Sequence, residues 1–159
     1  MEVLIRPVQR EEKAMLSSML DAYLDELAKF AQESFPKPYK FLDAYFSEES
    51  RHPFFILADR QIAGFALVNL KDPLSNREKQ AISEFCILPK FRGQGLGEKG
   101  AEQLFDLFPG TWVIRELPGN PADNFWKKVI QNYTQGNYRE YEESNENRKS
   151  KVQEFTNSK

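Results

Sequence analysis

The segment FRGQGLGEKG, residues 91–100, constrains the fold of this chain most, because its glycines separate two kinds of periodicity. The residues before it, 81–88, have the length and apolar content of a short strand. The residues after it have the apolar spacing of a half-buried helix, which ends at Pro109-Gly110. A strand at 111–117 follows, and two strands joined by a helix run parallel.

The remaining sequence predicts helices and antiparallel strands around this unit, which together give an α+β domain. We expect a central mixed, mostly antiparallel sheet of about seven strands, flanked by about four helices, in a single domain over 1–159. The further predicted strands are 2–8, 53–59, 62–70, 137–141 and 152–155, the further helices are 11–30, 41–46 and 121–133, and 142–151 is an exposed loop.

Composition excludes several classes of function. The chain has 159 residues with 22 Lys+Arg against 24 Asp+Glu, a net charge of −2 that provides no basic surface for nucleic acid or anionic membranes. No apolar run approaches the roughly 20 residues of a membrane-spanning helix. A single cysteine forms no internal disulfide, so we expect a cytoplasmic protein. One histidine and one cysteine give little basis for a metal site, and we predict none.

The glycine segment has the properties of an anion-binding turn. Gly93, Gly95 and Gly97 allow positive φ angles and leave several N–H groups free to converge on one anion. The following helix adds its own free amides and the positive end of its dipole. Arg92 adds a guanidinium suited to phosphate. These features predict a diphosphate site.

Two other interpretations of the glycines remain open. They can make only a tight turn, or residues 95–100 can be the G-x-G-x-x-G of a dinucleotide-binding fold, with Glu116 about 20 residues on. Such a fold needs a continuously apolar strand that runs directly into the first glycine. Here Ser83 and Glu84 interrupt the strand, and 89–92 separates it from the glycines.

The sequence resembles the GNAT N-acetyltransferase superfamily. The R-x-x-G-x-G motif of that family is present as Arg92 to Gly97, and I-x-P precedes it at Ile87-Leu88-Pro89. Residues 58–68 (ADRQIAGFALV) are similar to two paired strands of the family, and a later helix begins near Asn120. The resemblance therefore implies a GNAT-type fold with acetyl-CoA as cosubstrate.

The resemblance also implies which residues bind acetyl-CoA. The pantetheine arm would pair with backbone of Cys86, Ile87 and Leu88, the residues that precede the turn. The pyrophosphate would lie on Arg92, Gly93, Gln94, Gly95, Leu96 and Gly97, with Asn120 and Trp126 contributing from the last helix. Glu98 departs from the family pattern, which usually has Thr, Ser or a basic residue after the last glycine. An acidic side chain that faced a diphosphate would repel it; the alternative is that Glu98 points outward and complements the helix dipole.

Catalysis requires a base and a proton donor. Transfer to an amine needs a neutral nitrogen, and Glu84, in the strand before the turn, is the candidate base. The alternatives for Glu84 are an exposed strand position or a structural ion pair. In many relatives a tyrosine protonates the departing thiolate, but Trp126 occupies that place and an indole is no acid. Tyr133, two turns later, is a weak substitute whose alternative is a core role. Cys86 fits a buried, inert thiol.

We therefore expect an N-acetyltransferase that transfers acetyl from acetyl-CoA directly to a primary amine of an unidentified small molecule or peptide. A non-catalytic acyl-CoA-binding or regulatory module is the alternative, and a dinucleotide-binding domain ranks below it. A homodimer is one possible assembly. Residues 20–50 and 140–151 would select the acceptor, and acidic residues of the first helix (Asp21, Asp25, Glu26 and Glu33) fit either a cationic amine or a solvated face.

Overall fold

The computed structural model describes residues 1–74, 78–116, 121–145 and 148–157. Within them, seven strands form one mixed sheet in the order β1-β2-β3-β4-β5-β7-β6. The strands are β1 (Val3–Pro7), β2 (Arg51–Ala58), β3 (Gln61–Asn69), β4 (Gln80–Ile87), β5 (Gly110–Glu116), β6 (Arg139–Asn145) and β7 (Arg148–Asn157). Neighbours are antiparallel except β4 and β5. This confirms the predicted α+β fold.

In the same described residues, four α-helices cover the two faces of the sheet. They are α1 (Lys13–Ala31), α2 (Ala44–Ser47), α3 (Leu96–Leu107) and α4 (Pro121–Thr134). Residues of α1 and α2 pack on one face, in a core that includes Leu16, Leu20, Tyr45, Phe55, Phe65, Leu67 and Cys86. Residues of α3 and α4 pack on the other, in a core that includes Phe54, Ile82, Leu104, Phe105, Trp112, Ile114, Trp126 and Ile130.

The parallel strands β4 and β5 separate along their length. They pair at Gln80 with Trp112 and at Ala81 with Val113. Beyond these pairs β5 stays bonded to β7 as far as Glu116, whereas β4 stays bonded to β3. The sheet therefore has a wedge-shaped opening between the carboxyl ends of β4 and β5, next to the glycine turn.

A β-bulge in β4 sets which side chains face this opening. Glu84 pairs with Leu67 of β3 and Ile82 pairs with the next residue, Val68, so that Ser83 is the extra residue. Ile82 packs in the α3/α4 core, and Glu84 instead contacts α1. The bulge therefore turns Glu84 to the α1/α2 face.

Three expectations require correction. The loop expected over 142–151 is wrong for the described residues of that range, because 142–145 belong to β6, 148–151 belong to β7, and the two stretches pair antiparallel. Their polar composition is that of an exposed edge strand, which sequence alone does not distinguish from a loop. The short helix expected over 41–46 begins at Ala44. Among the described strands only one pair is parallel, so the sheet is not the doubly wound sheet of a dinucleotide-binding fold.

Two further features bear on the sequence predictions. Gly64 is in the hairpin partner of β4, and a Cβ there would lie 2.1 Å from the carbonyl oxygen of Cys86. Any side chain at this position would therefore clash with the backbone of β4. None of the helices in the described part of the chain is both long and apolar enough to cross a membrane.

Candidate active site

The turn between β4 and α3 depends on two glycines. Gly93 and Gly95 have φ angles of 79° and 78°, and a Cβ at either would meet no atom within 4 Å. Gly95 is the N-cap of α3, whose first backbone hydrogen bond runs from Lys99 N to Gly95 O at 3.3 Å. The amides before Lys99 therefore lack an intrahelical acceptor, and the open turn fits an anion such as a diphosphate.

Gly97 has a different role from the other two glycines of the motif. It is buried, and a Cβ there would lie 2.9 Å from the ring of Phe125 in α4 and 3.4 Å from Ile87. The missing side chain therefore lets α4 pack against the first turn of α3. Leu96 beside it is buried in the core.

Arg92 connects the turn to α1. Its two terminal nitrogens donate to the two carboxylate oxygens of Glu26 at 2.9 and 2.8 Å, and its Nε donates to the carbonyl of Ile87 at 2.7 Å. The guanidinium that the sequence suggested for phosphate is thus held by protein groups. Gln94 is exposed on the turn, as the prediction requires of a ligand-contacting residue.

Glu98 does not face the turn. Its carboxylate accepts a hydrogen bond from the side-chain amide of Asn132 in α4 at 2.9 Å. The repulsion expected between an acidic residue and a diphosphate is reduced because this side chain is held against α4.

The three residues expected to pair with pantetheine differ in their free backbone groups. The Leu88 amide donates to the carbonyl of Ala63 at 2.8 Å, and the Ile87 carbonyl accepts from Arg92. Cys86 pairs with β3. Its thiol is buried, and burial raises its pKa, which agrees with an inert cysteine.

Glu84 is the centre of a polar cluster on the α1/α2 side of the opening. The Tyr23 hydroxyl donates to its Oε1 at 2.8 Å, and the Tyr39 hydroxyl donates to its Oε2 at 2.9 Å. Burial raises the pKa of Glu84, and the two hydrogen bonds, which stabilise the carboxylate, oppose this rise. Burial and the nearby carboxylate raise the pKa of both tyrosines, which therefore remain protonated donors at neutral pH.

Sequence reasoning did not find Tyr23 and Tyr39 as partners of Glu84. They are 61 and 45 residues away from it in the chain. Tyr23 had the spacing of a core residue on α1, and Tyr39 followed two prolines in a segment without clear periodicity. No local pattern connects them to β4.

More polar groups lie on the same face of the sheet. Asn69 donates to the Tyr45 hydroxyl at 2.8 Å and also contacts Ser83, the bulge residue. On β5, Arg115 donates to both carboxylate oxygens of Asp72 at 2.6 and 2.7 Å. Both sides of the opening therefore have fixed polar side chains on the face where Glu84 lies.

The two candidate residues of α4 are not close to Glu84. Trp126 is buried, with its ring 5.0 Å from that of Phe85 on the opposite face of β4. The Tyr133 hydroxyl donates to Asp106 at 2.6 Å and accepts from Asn157 at 2.9 Å, and its pKa is raised to about 12 by burial and by Asp106.

Asn157 pairs with Gly110 at the start of β5, whereas the opening is at the other end of that strand. This placement argues against Tyr133 as the proton donor and favours its core alternative. The prediction for Asn120 lies outside the described residues.

Comparison with known proteins identifies the family. The sequence model of the Acetyltransferase (GNAT) family matches residues 16–130, which contain most of α1, strands β2 to β5, the glycine turn and most of α4. The chain belongs to the GNAT acetyltransferase family. No curated protein sequence matches it.

Solved structures of GNAT acetyltransferases share the fold at low identity. An acetyltransferase from Thermus thermophilus has a TM-score of 0.70 and 15% identity, covering 98% of this chain and 97% of its own. The ribosomal-protein-S18-alanine N-acetyltransferase from Escherichia coli has 0.66 and 14%, covering 99% and 96%. Spermidine N-acetyltransferase from Vibrio cholerae, solved with CoA and spermine, has 0.65 and 11%, covering 98% and 95%.

Proposed function

We propose that this GNAT protein transfers the acetyl group of acetyl-CoA directly to a primary amine, with Glu84 as the general base. The observation that carries the proposal is the position of the Glu84 carboxylate, which is held by two tyrosine hydroxyls beside the opening between β4 and β5. A glycine turn with free amides lies at the same end of β4.

The residues present fit acetyl-CoA. The turn at Gly93 and Gly95 offers open space and helix N-terminal amides to the pyrophosphate. The unpaired edge of β4 beyond Ala81 offers backbone groups to the pantetheine amides. Bound there, acetyl-CoA supplies an activated acetyl thioester.

Glu84 would make the acceptor nucleophilic. An alkylammonium titrates near pH 10, so at neutral pH a base must take a proton before the nitrogen can form a bond to the acetyl carbon. Burial raises the pKa of Glu84 toward a more useful range, while Tyr23 and Tyr39 fix both oxygens of its carboxylate. The two hydroxyls leave the remaining lone pairs of the carboxylate for the amine or a bridging water.

The acceptor class rests on the structural relatives and on the charges near α1. Two of the relatives are named for an alanine of a ribosomal protein and for spermidine, which are both amines. Of the acidic residues on α1, Glu26 is paired with Arg92 and Asp25 with Lys37 at 2.8 Å. This pairing favours a small-molecule or peptide amine selected by shape and polar contacts over one selected by a broad acidic surface.

Ligand binding tests the cosubstrate. Thermal unfolding should be measured with acetyl-CoA, CoA and NADH, since a ligand that binds only the folded state raises the unfolding temperature. We expect acetyl-CoA and CoA to stabilise the protein and NADH to have no effect. Stabilisation by NADH alone would overturn the proposal.

Turnover tests the chemistry. Thiol release from acetyl-CoA should be followed with a panel of amines, peptides and polyamines, for the wild type and for Glu84→Gln. We expect the variant to lose about 100-fold or more in kcat, as is typical for loss of a general base, and to keep CoA binding. Glu49→Gln, an exposed residue before β2, is the matched control.

The outcomes separate the two functions suggested by the sequence. Unchanged turnover in Glu84→Gln would remove Glu84 from the mechanism. CoA binding without thiol release for any amine would favour the non-catalytic acyl-CoA-binding module.

A further inference from the structure

Glu116, the last residue of β5, is a buried acid that the proposed reaction does not use. It is 6% exposed and pairs with Lys151 of β7, on the face of the sheet that α4 covers. Its two carboxylate oxygens accept no hydrogen bond from any described residue. An ionised carboxylate in such a place would be strongly destabilising.

A second carboxyl group accompanies it. Oδ1 of Asp123, in the first turn of α4, is also buried without a donor, whereas its Oδ2 accepts from Lys151 at 2.8 Å. Burial is the main cause that raises the pKa of Glu116 to about 8, and Asp123 and Glu140 of β6 raise it further while Lys151 opposes them. Two carboxyls beside a single ammonium are most stable when they share one proton.

A metal ion is not the better explanation of this cluster. In the described part of the chain, no three His, Cys, Asp or Glu side chains are arranged to hold one. A hydrogen bond from a protonated Glu116 carboxyl to Asp123 would satisfy these buried oxygens without a further group.

The pair is connected to the acetyl-CoA cleft through α4. Phe125 and Trp126 follow Asp123 within one helical turn. The Phe125 ring occupies the space above Gly97, and the rings of Phe125 and Trp126 lie 5.7 and 5.0 Å from that of Phe85 in β4. The salt bridge that holds Asp123 on Lys151 of β7 therefore also holds the two rings against the glycine turn and β4.

We propose that Glu116 and Asp123, joined by a shared proton, are positioning residues that hold the first turn of α4 in the form that binds acetyl-CoA. This inference rests on the proposed function. When the carboxylic proton passes to solvent base, two carboxylates face each other and share the ammonium of Lys151. The first turn of α4 then moves away from β5, and the cleft loses the wall formed by Phe125 and Trp126.

Calorimetric titration with CoA at pH 7 and pH 9 tests the proposal. If only the proton-sharing form binds, and ionisation is half complete near pH 8, about one molecule in ten is competent at pH 9. The ratio of the dissociation constants at the two pH values should then be about tenfold larger for the wild type than for Glu116→Gln. Glutamine keeps the shape and a donor for Asp123 but has no proton to lose.

Asp123→Asn gives an independent check. The asparagine amide can donate to an ionised Glu116, so ionisation no longer places two carboxylates together. We therefore expect the ratio of the CoA dissociation constants at pH 9 and pH 7 to be as small in this variant as in Glu116→Gln. Glu11→Gln, an exposed residue before α1, should keep the ratio of the wild type. Circular dichroism at both pH values should show that every variant is folded.

Steady-state kinetics distinguishes positioning from a purely structural role. Between pH 7 and pH 9 the KM for acetyl-CoA should rise in the wild type relative to Glu116→Gln, with a much smaller change in kcat at saturation. Equal ratios in the wild type and Glu116→Gln would overturn the inference and leave the proposed function intact. Absence of CoA binding at both pH values would overturn both, and binding without turnover would overturn only the catalytic proposal.

Discussion

Arg92 and Glu26 form a two-point ion pair that joins the glycine turn to α1, with both nitrogen–oxygen distances below 3 Å. Arg92 also donates to the carbonyl of Ile87, at the end of β4. One guanidinium thus connects the strand, the turn and the helix that carries Tyr23. The contribution that we propose for Arg92 to acetyl-CoA binding therefore has a direct form, contact with the pyrophosphate, and an indirect form, through the position of the turn.

Replacing Glu26 distinguishes the two roles of Arg92 by the sign of the effect. If Arg92 acts by tethering the turn, Glu26→Ala should weaken CoA binding by up to about fivefold, because exposed ion pairs contribute up to about 1 kcal/mol. If Arg92 binds the pyrophosphate directly, the same change frees it and affinity should rise. Calorimetric titration with CoA of Glu26→Ala, Arg92→Ala and the double variant distinguishes the two cases. If Arg92 acts by tethering, the losses of affinity in the two single variants should not add in the double variant.

The glycines of the turn should respond differently to alanine. Gly97→Ala should lower the free energy of unfolding by about 1 to 3 kcal/mol, because its methyl group meets the Phe125 ring. Phe125→Leu in the same chain should recover part of that loss. Gly93→Ala, which meets no neighbouring atom, should lose roughly 1 to 2 kcal/mol through its positive φ.

Urea unfolding of these variants provides the measurement. Phe125→Leu should not recover the loss in the Gly93→Ala chain. An equal effect of Phe125→Leu in the two backgrounds would show that Gly97 does not serve α4 packing.

Tyr39→Phe should shift the pH dependence of catalysis. The Tyr39 hydroxyl stabilises the Glu84 carboxylate, so its removal raises the pKa of Glu84 further. The acidic limb of the profile of kcat/KM should then move to higher pH by about one unit, since a hydrogen bond to a charged group contributes about 1.5 kcal/mol or more. Tyr141→Phe, whose hydroxyl donates to Glu154, is the control. A limb that moves to lower pH would contradict the role of Tyr39.

Glu116 should make stability depend on pH. Its pKa is about 8 in the folded chain against an ordinary 4.5, so its contribution is complete below about pH 4.5 and is lost as the pH rises through 8. Over this window the group lowers the free energy of unfolding by up to about 1.4 kcal/mol per pH unit. In urea unfolding, the free energy of unfolding of Glu116→Gln should therefore rise relative to that of the wild type as the pH increases from 5 to 8. Parallel curves for the two proteins would show that Glu116 is ionised in the fold.

Much of the fold follows from the sequence because its signals are local. The strands and helices around FRGQGLGEKG follow from apolar spacing and from the breaks at proline and glycine, and the parallel unit follows from their order. Both β6 and β7 were predicted as strands, but their continuation into 142–151 was predicted as a loop, because Glu142 and Glu143 have the polarity of a loop although an edge strand tolerates them. What makes 142–145 a strand is its pairing with β7, and this pairing depends on tertiary contacts that sequence spacing does not reveal.

The site was predictable only where it is continuous in the chain. The glycine turn and Glu84 lie in one segment and could be recognised. The partners Tyr23, Tyr39 and Glu26 come from α1 and the following segment, and their contacts depend on how that helix crosses the sheet. Assigning different roles to Gly95 and Gly97 also required the position of Phe125 in the fold, because the spacing in the sequence is the same for both glycines.

The extra residue in β4 means that the candidate site depends on the number of residues in the strand as well as on their side chains. Ser83 inserts one step into a two-step alternation, so the side chains before it and those after it follow different frames relative to the two faces of the sheet. Deletion of this one residue would make Ile82 and Glu84 successive residues, and plain alternation would then keep them on the opposite faces that they already occupy. The length of β4 can therefore change by one residue at Ser83 without moving Glu84 to the other face, whereas a one-residue change between Glu84 and the glycine turn would put the proposed base and the turn out of register.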